Sequence, residues 1–307
     1  MNITLALSGG GVKGFAHIGV LRVMEAEGFR ICGVAGTSAG GLVGALYASG
    51  YSAEQMEARL LEIDQGNLFG RMHGDGPALL GFTGVTAILS ELLGERTFEE
   101  IRLPLAITAT DLTSGLSVII RQGRLIDAVL ATSAVPGVFP ARSMGDHLLV
   151  DGGVMNPIPV AEARALDPGA PVVAVVLAPP LGWQQDEKIF SADNIPVLMT
   201  NLPLVYRLAG RLRLAQAFNI FVQSMDLTGL MLLEKQLKLD HPEAIIRPEL
   251  GMIGIIDRVN IPELIKAGEL AAIKALPVIR QSLSQQNRLK RKLFKFLSKS
   301  LGTENEP

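Results

Sequence analysis

Cysteine is nearly absent from this 307-residue chain: Cys32 stands alone. No disulfide can form within the chain, and the setting this implies is a reducing one such as the cytosol. Charge is scarce too. Asp, Glu, Lys and Arg make up 19% of the residues against 48% hydrophobic, a balance that excludes intrinsic disorder. The two signs almost cancel, leaving a formal net charge of −2. The chain therefore has no overall field to attract a polyanion, and nucleic acid is not an expected partner. The first residues, MNITLALSGGG, lack a basic stretch, apolar run and small-residue cleavage site, so no signal peptide is expected. Residues 31–53 carry no charge and are long enough to cross a bilayer. Six of them are glycines and several are Ser or Thr, so a buried strand, tight turn and buried helix suit them better.

What the chain does have is apolar surface to hide. Its high mean hydropathy fits a parallel sheet buried on both faces, or a protein that works against lipid. Short apolar runs at 3–8, 30–36, 103–112, 116–123, 147–153, 171–179 and 243–249 predict strands. Helical spacing of apolar residues marks 15–28, 39–50, 53–63, 125–134, 159–166, most of 197–237, and 262–276, the last stopped by Pro277. Ser52 with Gln55, and Thr97 with Glu100, have the spacing of helix capping boxes. Residues 64–84, rich in Gly and Asp, predict a long loop of the lid or binding kind. Alternating strands and helices imply an α/β fold: a mainly parallel sheet with helices on both faces. No repeat, linker or second core stands out, so one domain is expected over residues 1–280, followed by a tail at 281–307.

Two glycine-rich turns carry the chemistry. Gly9, Gly11 and Gly14 satisfy G-x-G-x-x-G between a strand and a helix, the setting of a dinucleotide fold. That reading needs an acidic residue at the end of the next strand to hold a ribose. No acid occurs from Ile31 to Ala53, and no Gly-Lys-Ser or Gly-Lys-Thr closes the loop as a P-loop would require. The other use of such a loop is to aim backbone N–H groups at an anion. One strand later, "GTSAG" matches G-x-S-x-G. Gly36 and Gly40 let strand and helix backbones pass closely, Thr37 and Ala39 flank the serine, and Ser38 sits on the sharp turn as a candidate nucleophile.

A serine needs a base. Four histidines are available: His17, just past the glycine loop, and His73, His147 and His241. Their settings do not single one out, their spacing offers no metal pair, and His17 stays a rival on proximity. Two aspartates stand at strand ends, where sites form in parallel sheets. Asp151 is followed by Gly152 and Gly153, which reads either as room around a working carboxylate or as a hairpin turn. Asp111, in "TATDLTSG", reads more like an Asx turn. A partly desolvated carboxylate can take the serine proton directly.

The ordered set "LSGGGVKGFAHIGVL", "GTSAGGLVGALYASG", "SAVPGVFPA" and "DGGVMNPIPV" resembles the patatin-like phospholipases, from about residue 3 to the "IIRP" and "LIKAGE" segments. The resemblance implies a three-layer α/β/α fold and a Ser–Asp dyad, with Ser38 as nucleophile and Asp151 as base. The backbone of Gly9, Gly10 and Gly11 would form the oxyanion hole, and Gly14, Gly152 and Gly153 complete the motifs. Lys13 matches a basic residue that is thought to meet substrate phosphate in related lipases. The segment around Pro136 and Pro140 would shape the site. The implied function is hydrolysis of carboxylic esters in (lyso)phospholipids or neutral lipids, with no metal or organic cofactor. The alternative is a non-catalytic regulator that binds acyl chains on the same fold. In the tail, Leu289, Leu293, Phe296 and Leu297 share helical spacing while Arg288, Arg291, Lys292, Lys295 and Lys299 lie mainly elsewhere around the helix. That pattern suits residues 287–300 to an anionic membrane surface or to packing on their own domain. The expected location is cytoplasmic, with peripheral contact at the inner face of the membrane.

Overall fold

A computed structural model describes residues 1–71, 73, 75–182 and 210–283, with side chains in the last stretch from 220 onward. The chain runs β1 (Asn2–Leu7), α1 (Phe15–Ala26), β2 (Arg30–Thr37), α2 (Ala39–Ala48), α3 (Ala53–Leu61), α4 (Thr83–Leu93) and β3 (Leu105–Asp111). It continues through β4 (Leu116–Ile120), α5 (Leu125–Thr132), β5 (Arg142–Met144), β6 (His147–Asp151), α6 (Val160–Leu166), β7 (Val172–Val175), α7 (Gly210–Asp240), β8 (Ala244–Ile246) and α8 (Ile261–Ser282).

The strands form one sheet, and its pairing decides where the turns meet. β1 pairs in parallel with β2 and β7, β2 with β3, and β7 with β8. The strand period of two sends Ile3, Leu5 and Leu7 to one face and Ala6 to the other. The first face packs under α1, α2, α3, α4, α5 and α8. The second is paved by Ala6, Ala35 and Ala106, small enough to bring α6 and the Leu233 and Leu237 end of α7 close to the sheet. This is the expected three-layer α/β/α arrangement with a mostly parallel sheet.

The antiparallel strands place the candidate base. Along β3, Ile107 and Thr108 pair with Gly36 and Thr37 of β2 on one edge and with Ile120 and Ile119 of β4 on the other. From Ala109 to Asp111 the β4 edge continues with Val118, Ser117 and Leu116, but the first edge is taken by Asp151, Val150 and Leu149 of β6. β2 and β6 therefore lie end to end along one edge of β3. β2 runs parallel and β6 antiparallel to β3, so their C-terminal ends abut, at the neighbouring positions 108 and 109.

Several local expectations need correction. Thr97 and Glu100 do not open a helix. The Glu100 carboxylate accepts from the Thr97 N–H at 2.8 Å, but the Glu100 N–H goes to the Thr97 carbonyl, and Thr97 forms an isolated bridge with Arg124. The box at Ser52 is complete and starts α3. α8 does not stop at Pro277: it continues to Ser282, with Ile279 fully buried and Arg280 paired to Glu27, the residue that caps α1. β5, which makes a hairpin with β6, and α4 add to the elements expected from the pattern. The stretch at 64–84 holds a short 3-10 turn at Gln65–Asn67 and ends in α4. The helix expected before Gly210 and the basic tail at 287–300 lie outside the described residues. Among the described residues no helix is long and apolar enough to cross a membrane.

Candidate active site

Ser38 stands between β2 and α2 with φ 52° and ψ −121°, one of two non-glycine residues at positive φ among those described. Such a conformation costs roughly 1–3 kcal/mol and persists only where surroundings enforce it. The flanking glycines make it possible. A Cβ at Gly36 would lie 2.4 Å from the Gly40 carbonyl oxygen, and one at Gly40 2.3 Å from that of Leu7, so only bare backbone lets strand and helix cross here. Thr37 and Ala39 flank the turn as expected. The Thr37 hydroxyl donates to the Asn156 carbonyl at 2.8 Å and lies 2.7 Å from the Thr108 hydroxyl.

The abutting strand ends bring Asp151 to Ser38. The Ser38 hydroxyl stands close enough to the Asp151 carboxylate to pull its pKa down, and the Gly153 N–H donates to Asp151 Oδ1 at 2.7 Å. Both residues are buried, at 7% and 5% exposure. Burial pushes the Asp151 carboxyl up to about 6, against the downward pull of the Ser38 hydroxyl and the Gly153 N–H. At neutral pH the group is ionised yet basic enough to take a proton. Gly152 is required by close approach: a Cβ there would lie 2.4 Å from the Thr108 carbonyl oxygen.

The glycine loop lies beside this pair, with Gly9 against the Ser38 side chain. Its three amides are not equivalent. The Gly9 N–H donates to the Pro157 carbonyl at 3.2 Å, so it anchors the loop. Among the described residues no partner takes the N–H groups of Gly10 and Gly11, the cap and first residue of the short helical turn Gly11–Gly14. The loop is braced from below. His17 Nε2 lies 2.9 Å from the Ser8 carbonyl, and the Ser8 hydroxyl donates to Gly9 O and accepts from the Leu177 N–H, both at 3.0 Å. Complete burial pushes the His17 imidazole down to about 4, so the ring is neutral and donates from Nε2. His17 is thus a brace for the loop, and its other nitrogen, Nδ1, is buried without a partner among the described residues. Lys13 is half-buried within the electrostatic reach of Asp226, on α7, and Asp257. Burial pushes its ammonium down, and the two acids work the other way.

The other candidates fall into place around the site. Asp111 accepts from the N–H groups of Thr113 and Ser114 and from the Ser114 hydroxyl, the turn expected of it, and His147 Nδ1 lies 2.9 Å from its Oδ2. The long loop docks on the Pro136–Pro140 segment: the N–H groups of Leu79 and Leu80 donate to the carbonyls of Gly137 and Val138, and Phe82 stacks on Phe139 with centroids 4.3 Å apart. Sequence reasoning missed Thr132. Its hydroxyl accepts from the Ser38 N–H at 2.8 Å and donates to the Thr108 carbonyl at 2.5 Å. Its only sequence signal was its place just before the quoted "SAVPGVFPA" segment. Among the described residues no group of three or more His, Cys, Asp or Glu side chains could hold a metal ion.

Comparison with known proteins identifies a family. A family model described as patatin-like phospholipase matches residues 5–164. An uncharacterized NTE family protein of Mycobacterium bovis is 33% identical over 162 residues, 52% of this chain and 44% of the relative. Another from the same organism is 27% identical over 289 residues, 90% of this chain and 46% of the relative. Patatin-like phospholipase domain-containing protein 6 of Mus musculus is 32% identical over 181 residues, covering 57% of this chain and 13% of the relative. The chain spans less than half the length of these relatives. Among solved structures, VipD from Legionella pneumophila aligns over 91% of this chain and 67% of its own, at 14% identity and a TM-score of 0.47.

Proposed function

Because the chain belongs to the patatin-like phospholipase family, we propose that it is a serine hydrolase of carboxylic esters in lipids, working through Ser38 and Asp151. One observation carries the reading: a strained serine faces a buried carboxylate whose proton affinity is raised, beside two backbone amides that have no partner among the described residues. Asp151 takes the Ser38 proton as Oγ attacks the ester carbonyl carbon. The N–H groups of Gly10 and Gly11 receive the oxyanion, with Gly9 fixing the loop. As the C–O bond breaks, protonated Asp151 returns the proton to the departing alcohol or lysolipid, leaving an acyl-serine. Water then gives its proton to Asp151 and attacks the acyl carbon, and the fatty acid leaves as Ser38 regains its hydrogen. Lys13 would meet a substrate phosphate, against the field of Asp226 and Asp257. The domain at 1–280 does the chemistry, and the basic tail at 287–300 brings it to anionic membrane from the cytoplasmic side. Unchanged liposome binding after deletion of 287–307 would discard the role of the tail.

The test is hydrolysis of a short-chain nitrophenyl ester and of a lysophospholipid by wild type and Ser38→Ala. Wild type should turn over, and folded Ser38→Ala should fall by a factor of about 10³ or more. A Ser38→Ala protein at full rate would falsify the assignment. Tight fatty-acid binding with no turnover of any ester would replace it with the non-catalytic acyl-chain regulator.

A further inference from the structure

The geometry points to the C-terminal end of α5 as the clamp that sets the distance between Ser38 and Asp151, with Thr132 as its positioning residue. This rests on the hydrolase reading above. The two members of the dyad come from different strands, and neither strand pairs with the other. What they share, besides β3, is the end of one helix. The Thr132 hydroxyl accepts the Ser38 N–H at 2.8 Å. Two residues on, the Ala134 carbonyl accepts the Asp151 N–H at 2.9 Å. Thr132 cannot drift, because its own hydroxyl proton is given to the Thr108 carbonyl at 2.5 Å, and Thr108 is the β3 residue paired with Thr37. Ala134 and Thr132 are both fully buried.

The two bonds act at different kinds of backbone. Asp151 ends a regular strand, and its N–H needs an acceptor whatever the enzyme does. Ser38 is held at φ 52°, where a side chain is strained. A hydroxyl that captures its N–H opposes the rotation that would relieve the strain and swing Oγ away from Asp151. The same bond removes the Ser38 amide from the oxyanion donors, which leaves that task to Gly10 and Gly11. The rest of the Thr132 side chain has a packing role: a Cβ at Gly41 of α2 would lie 2.9 Å from its methyl. Thr132→Val keeps that methyl and the shape and removes only the hydroxyl. Thr132→Ser keeps the hydroxyl and removes the methyl.

The experiment compares wild type, Thr132→Val and Thr132→Ser in ester hydrolysis and in the rate of labelling of Ser38 by a fluorophosphonate, each below its melting temperature. Thr132→Val should lose about 10–100-fold in kcat and in labelling, with KM within about twofold, because the loss lies in alignment of the reacting atoms. Thr132→Ser should stay within about threefold of wild type in kcat, as the hydroxyl alone is what alignment needs. If Thr132→Val does not fold, Thr132→Ala lacks the same hydroxyl and takes its place. A folded hydroxyl-free variant with wild-type kcat, or a Thr132→Ser protein as slow as Thr132→Val, overturns the clamp. A wild type that neither turns over esters nor takes the label defeats the hydrolase reading instead.

Discussion

Two aspartates stand two register positions apart where β3 and β6 meet, and they are opposites. Asp111 faces Leu149 across the pair, and Asp151 faces Ala109. Both are buried, at 1% and 5% exposure. The carboxylate of Asp111 collects the N–H groups of Thr113, Ser114 and Leu148, the Ser114 hydroxyl and His147, and the His147 bond above all holds its carboxyl well below the usual range. Asp151 accepts the Gly153 N–H, with the Ser38 hydroxyl beside it, and burial wins, raising it to about 6. Burial alone does not decide how basic a carboxylate is; the number of donors that answer it does. Asp111 fastens the hairpin of β5 and β6 to β3, and Asp151 is left under-solvated, as the proposed base would be.

The largest effect that would break this contrast is on activity. Asp151→Asn should lose at least about 10³-fold in ester hydrolysis, the upper range for removing a positioned base. The same variant should melt higher than wild type at pH 7–8. The sign follows from linkage. A carboxyl raised from 3.8 to about 6 favours the fold below pH 3.8, and that advantage is gone once the pH passes about 6, where a buried charge must be carried. The amide has no charge to bury. A lowered melting temperature at pH 8 would mean that the carboxylate is structural.

Asp111→Asn should do the reverse, leaving turnover of the folded protein near wild type and lowering the melting temperature. Its carboxyl is depressed in the fold, so its contribution is present above the unfolded value of 3.8 and is lost as pH falls through the lower folded value. The gap in melting temperature between wild type and Asp111→Asn should therefore be full at pH 7 and narrow below pH 4. The smallest effect is His147→Gln, which trims one exposed partner from Asp111. It should lower the melting temperature less than Asp111→Asn and leave turnover unchanged, and a change in its kcat would tie this hairpin to catalysis.

The two turns that carry Ser38 and the glycine loop were legible because their signals are local: apolar strands, glycines at fixed offsets, and a helix directly after each. Asp151 was legible as a strand end, but its meeting with Ser38 was not. That depends on positions 108 and 109 of β3 receiving partners from two strands on one edge, a pairing over more than forty residues that no periodicity encodes. The antiparallel turn of β6 was missed for the same reason. Thr132 was invisible because a side-chain bond to a backbone N–H 94 residues away leaves no spacing to read. Pro277 misled because helix-breaking is a local rule, and the buried Ile279 and the Arg280–Glu27 pair beyond it carry the helix on. The glycine amides were read as three alike. The Pro157 carbonyl that occupies one of them lies far along the chain.

The most direct test of the Ser38–Asp151 pairing is the pH profile of kcat/KM for wild type beside Asp151→Asn. The wild-type rate should climb with pH and level off through an apparent pKa near 6, and the residual rate of Asp151→Asn should show no such limb. A limb that survives unchanged in Asp151→Asn, at undiminished rate, would assign the proton to another group and remove Asp151 from the chemistry.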